Sequence, residues 1–209
     1  FAWVSHDTAE TRLRLERGPR AMAAGVAGGI SHIRAQVETW RDDPQLRATF
    51  LKRADSAALE RQAQALSARL PMAISIHLFY PEEANAVEGI PFLSFAGLDL
   101  VRKAAQARTL SLLEAHRVAQ TDTHLALATP VLDPAHEHPV GVIHVALPLS
   151  LLPNPADTLD PGILNAWQQV VGDEAATLGD VVVPSAKPDY SVPIAGSRLR
   201  IAGSIKGPG

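Results

Sequence analysis

The spacing of apolar residues changes at Pro71, from three or four residues to two, and this change confines the chain to helices first and strands after. Ahead of it, Ile30, Ile33, Val37 and Trp40 line one face of a helix that ends near Trp40. Asp43 before Pro44 is a start signal: the carboxylate can accept from free amides, and the proline ring suits the first helical position. Leu46 and Phe50 continue the stripe. Asp55 or Ser56 opens another helix carrying Leu59, Leu66 and Leu70. Pro71 closes it by pushing the residue before it out of the helical region. Residues 5–70 are therefore expected to be helical.

Beyond Pro71, Met72, Ile74, Ile76 and Leu78 alternate with Ala73, Ser75, His77 and Phe79, the pattern of a half-buried strand. A polar loop follows at 81–89. Helical spacing returns over 99–117 in two pieces, Leu98, Val101 and Ala105, then Leu112, Leu113 and His116. Two alternating runs, 124–131 and 140–149, flank the turn-rich Asp133-Pro134-Ala135-His136-Glu137-His138-Pro139 and predict a hairpin with a long tip. A loop is expected at 153–162. Short strands are expected at 163–171, 177–183, 190–194 and 198–205, with Ala195-Gly196-Ser197 as the last turn. The class is α+β: N-terminal helices over 1–70 packed on an antiparallel sheet over 71–209. No linker separates Leu70 from the first strand, so the two parts are read as one domain.

Nineteen basic residues against 22 acidic ones leave a net charge of −3, and this lack of basic excess excludes nucleic acid as an expected partner. With no cysteine, disulfides, thiolate metal sites and cysteine nucleophiles are all excluded. The longest apolar run, 140–152, is broken by His144 and falls short of the roughly 20 residues of a membrane-spanning helix. Asp7, Glu10 and Glu16 stand where a signal peptide would be apolar. The chain opens at Phe1 and closes on Lys206-Gly207-Pro208-Gly209, and is expected to be a piece of a longer protein.

Catalytic signatures are missing: no phosphate-binding glycine loop, no nucleophile elbow, no His-Glu-x-x-His and no dinucleotide fingerprint. Neither an enzyme nor a cofactor is expected of this chain. His136 and His138, near Asp133, are weak metal candidates; a solvated turn explains them more simply, since a closed site needs further ligands.

The distributed pattern carries more. Ser75 and His77 lie opposite the bulky side of the first strand; His124, Ala126 and Ala128 share one side of the next, and His144 and Ala146 one side of its partner. In the last strand Arg198, Arg200 and Ser204 oppose Leu199, Ile201 and Ile205. If these four strands are neighbours, His77, His124, His144 and Arg200 share a surface with Ser75, and the alanines leave room there for a small anionic metabolite, a carboxylate or phosphate. Arg102 and His116, from the segment after the first strand, are placed to face such a pocket. A sheet with one solvated face gives the same alternation without a ligand, and a zinc site built from the strand histidines is a third reading.

The order of elements is similar to that of Cache-type, PAS-like extracytoplasmic sensor domains. A further resemblance is to the N-terminal extension of long-form proteobacterial phosphomannomutase/phosphoglucomutase. It rests on Leu98-Asp-Leu-Val-Arg-Lys-Ala104, His124-Leu-Ala-Leu-Ala-Thr-Pro-Val131 and Val192-Pro-Ile-Ala-Gly-Ser-Arg-Leu-Arg-Ile-Ala202, within roughly residues 55 to 205. The mutase's phosphoserine, metal and sugar loops do not occur here, so the resemblance implies a regulatory part of an isomerase with none of its catalytic residues. It implies a periplasmic, ligand-binding sensor domain of an inner-membrane protein, coupled through an adjoining membrane helix to a cytoplasmic domain. Apart from the resemblance, a second copy of the chain is a further candidate partner. Two alternatives stay open: a ligand-free dimerisation module, and a small metal-dependent enzyme using the strand histidines.

Overall fold

In the computed structural model the Asp43 carboxylate accepts from the amides of Gln45 at 2.9 Å and Leu46 at 3.1 Å, and Asp55 accepts from Ala58 at 2.8 Å. Both helix starts are therefore built as their sequence signals require. The structure describes residues 2–85, 93–116, 122–157, 159–160, 162–179 and 188–205. The long helix α1 (Ala2–Glu38) runs into a 3₁₀ turn (Thr39–Asp42) and is followed by α2 (Pro44–Leu51) and α3 (Ser56–Arg69).

Strand β1 (Ser75–Phe79) then leads to α4 (Phe95–Ala107), β2 (Glu114–His116), β3 (His124–Val131) and β4 (Gly141–Pro148). These strands form one antiparallel sheet in the order β1-β4-β3-β2. Next come β5 (Ile163–Val171), β6 (Glu174–Thr177), β7 (Tyr190–Pro193) and β8 (Leu199–Ile205), which form a second antiparallel sheet in the order β6-β5-β8-β7. The α+β class stands, with two sheets where one was expected.

Two local expectations change. The segment after α4 is not a second helical piece: Arg108, at φ 55°, closes α4 in the left-handed conformation, and the chain runs on extended. Its amides find partners on other strands, Ser111 N–H donating to Ala128 O at 2.9 Å and Leu113 N–H to Gly196 O at 3.0 Å, so Leu113 and Ala115 turn inward at period two. The last strand, β8, does not adjoin the first three histidine-bearing strands; it sits in the second sheet between β5 and β7. Of the expected strand at 177–183, Thr177 ends β6 and 180–187 lie outside the described residues; 86–89 of the expected loop at 81–89 also lie outside them, as do Phe1 and 206–209. The final turn is as read, with Gly196 at φ 77°.

The first sheet is covered on both faces. On one side Ile76, Leu78, Leu125, Leu127, Ile143 and Val145 pack with Trp40, Leu46, Phe50, Leu66 and Leu70 in the main core. On the other side Leu100, Val101 and Ala104 of α4 meet Phe79, Ala126, Ala128 and Val142. Helix α3 lies on β1, α4 on β3 and β4, and α1 on β7 and β8.

Candidate functional site

Paired residues of an antiparallel sheet point to the same face, so the register decides which side chains meet. His77 pairs with His144, and His144 with Ala128; Ser75 pairs with Ala146, and Ala146 with Ala126; His116 pairs with His124. All lie on the face beneath α4. Three of the expected ligand-binding positions with histidine, His77, His124 and His144, are thus brought together with Ser75. Arg200 is not: its guanidinium Nε donates to Gln168 Oε1 at 2.9 Å on the second sheet, so it is removed from this surface. Arg102 is on α4 and pairs with Asp99 at 3.7 Å, half-exposed. His136 and His138 lie on the exposed hairpin tip, where His136 Nδ1 pairs with Asp133.

His144 sits deepest, 1% exposed, and among the described residues neither of its ring nitrogens has a hydrogen-bond partner. Burial, and then the neighbouring His116, His77 and His124, push its pKa down to about 3, so the ring is neutral. An unpaired polar group kept this far from water costs roughly 1–3 kcal/mol, a cost that a bound ligand can relieve. Above it α4 comes close through Gly97, where a Cβ would stand 3.6 Å from His144 Nε2. A Cβ there would also stand 3.1 Å from Leu93 Cδ2, so α4 packs this close to the imidazole because residue 97 has no side chain.

His116 is 2% exposed, with its ring 5.7 Å from that of His124 and 6.3 Å from that of His144. Its Nε2 lies 2.9 Å from Glu114 Oε1, while Glu114 Oε2 lies 3.0 Å from Arg198 Nε. A carboxylate held by a guanidinium only accepts, so Nε2 carries the hydrogen in this contact, and Nδ1 is buried with no hydrogen-bond partner among the described residues. His77, half-buried, is held below the ordinary imidazole range by burial, with Glu60 pulling the other way. His124 Nδ1 meets Asp122 O at 3.0 Å. Among the described residues no three His, Asp or Glu side chains converge as a metal site requires.

Glu114, Arg198 and Gly97 did not stand out in the sequence as site residues. Reading 112–116 at period two, with Leu113 and Ala115 inward, would have placed Glu114 and His116 on the histidine face.

A long N-terminal helix, a sheet with helices on one face and a helix roofing the other, and a polar cluster under that roof define a Cache/PAS-like α+β fold. The ligand-binding domain of the Pseudomonas aeruginosa PAO1 amino acid chemoreceptor PctC, in complex with GABA, is similar at a TM-score of 0.61 and 16% identity over 92% of this chain and 98% of that one. The ligand-binding domain of the Pseudomonas fluorescens chemoreceptor CtaA, in complex with L-isoleucine, gives 0.60 and 16% over 93% and 92%. The sensor domain of the V. cholerae histidine kinase DctB gives 0.59 and 14% over 100% of both chains. No protein-family model and no curated protein matches the sequence.

Proposed function

We propose that this chain is a non-catalytic sensor domain that binds a small polar metabolite between α4 and the histidine face of the first sheet. The observation that carries the reading is His144, neutral, buried and with both nitrogens unsatisfied among alanines and Gly97. The fold shared with ligand-binding and sensor domains supports it. Ser75, His77, His116, His124 and His144 form the site. Residues 1–70 and 71–209 act as one unit, since the helices cover the sheet that carries it.

Sensing is a shift between two arrangements that hold the ligand unequally. Glu114 offers a route: one oxygen holds His116 at the site and the other holds Arg198, which directly precedes β8 of the second sheet. The periplasmic placement and the coupling to a membrane helix follow from the sequence resemblance; no described helix is long and apolar enough to cross a membrane. The phosphohexomutase as the attached domain rests on the three matching segments alone; the relatives named above are domains of two chemoreceptors and a histidine kinase.

Thermal denaturation in the presence of amino acids, organic acids and sugar phosphates tests the proposal. A compound at a hundred times its Kd stabilises the folded state by about 2.7 kcal/mol, a rise in Tm on the order of 5–10 °C for a domain of this size. If no compound raises Tm, the sensor reading is wrong. The rival reading, an assembly module, draws on an apolar groove of about 690 Å³ beside α1, lined by Gly18, Met22, Gly25, Gly29 and Ile33, and expects a dimer in sedimentation with no ligand response.

A further inference from the structure

The cations nearest the histidine face, among the described residues, stand in ion pairs. Among the described residues, Arg102 and Lys103 of α4 are paired with Asp99, Arg198 with Glu114, and Arg200 lies on the other sheet. What the face does offer is imidazole. His144 is met by His77 from β1, by Ala128 from β3, by His116 from β2 and by Gly97 from α4, with His124 beside His116 and Glu60 of α3 acting on His77.

Each neutral ring has one lone pair, and each becomes a double donor when a proton is added. Glu114 is already in place against His116 Nε2, where it would stabilise a charged ring. A buried anion without a counter-charge is costly, whereas an anion and an imidazolium brought in together leave the histidine face with no added net charge.

Resting on the sensor reading above, we propose that this site binds a small carboxylate together with one proton, which comes from solvent and is held on the His116–His144 imidazoles, with Glu114 supporting the charge at His116. The proton enters on a ring nitrogen that has no hydrogen-bond partner among the described residues, His116 Nδ1 being the first choice, and no other bond is made or broken. The carboxylate then accepts from the imidazolium and from the N–H of His144. Affinity consequently rises as pH falls, by up to tenfold per unit for one proton taken up.

The test is calorimetric titration of the unsubstituted chain with acetate, succinate and citrate, and with their amides, at pH 7, 7.5 and 8 in MOPS and in Tris. The expected result is that at least one acid binds, tightening several-fold to tenfold per unit as pH falls. Its heat should differ between buffers as uptake of about one proton requires, and its amide should not bind. Glu114→Gln is expected to flatten the pH slope, and His116→Gln is the second variant should the first lose its fold.

Acid binding that is independent of pH and buffer, equal binding of the amides, or no acid binding at any pH overturns the proposal. Binding of L-alanine or GABA in preference to every acid, with no proton uptake, also overturns it while leaving the sensor reading intact. A panel in which nothing raises Tm removes the sensor reading itself.

Discussion

His144 ties the stability of the fold to pH. In the unfolded chain its ring titrates near the ordinary 6.5, while in the folded protein burial has lowered that value to about 3. Below pH 6.5 the unfolded chain binds the extra proton, so the stability due to the neutral ring is complete above that pH and is lost as pH falls toward 3, at about 1.4 kcal/mol per unit. Urea denaturation at pH 7 and pH 5 should show a loss of about 2 kcal/mol from this group. His144→Leu should remove that part of the acid sensitivity, and an unchanged slope in the variant would show that other groups cause it. The residue's type and its side of the strand could be read from the sequence. Its lack of partners could not, because hydrogen-bond satisfaction depends on which groups β1, β2 and α4 bring near it.

Helix starts are local chemistry, and here they were readable. Asp43 accepts from two amides within three residues, and its other oxygen meets Arg69 Nη1 at 3.3 Å. Asp43→Ala is expected to cost about 1 kcal/mol, measurable as a lower urea midpoint with an unchanged m-value. The segment after α4 behaved differently. Leu112, Leu113 and His116 sit at a spacing that helices and short strands share, and the choice fell to backbone partners far away in sequence, Ala128 and Gly196. Gly141 is another case decided at a distance, since a Cβ there would run into the Phe50 ring of α2.

Over the whole molecule, β2 joins the two sheets. Gln169 of β5 brackets Ala115, donating to its carbonyl at 2.9 Å and accepting from its amide, while Arg198 N–H donates to Leu113 O at 2.8 Å. Arg34 of α1 donates to the carbonyls of Ser111 and Gly196 at the same junction. In the proposed site a ligand at His116 would therefore act on a strand fastened to β5, to the β7–β8 turn and to the long helix. With a compound from the thermal screen, amide exchange in β7 and β8 should slow on binding. Arg198→Gln should keep the binding but lose most of that distant slowing, and equal slowing in the variant would show that Glu114 is not the route.

Apolar spacing and helix caps are properties of neighbours along the chain. The helical first third, the α+β class, the hairpin at 124–149 and the polar side of each strand were therefore legible before any coordinates. Strand partnership is a property of residues far apart in sequence, and alternation says which way a side chain points but not which strand lies beside it. Folding therefore decided that His77, His116, His124 and His144 meet under α4, and that Arg200, with the same alternation, belongs to another sheet.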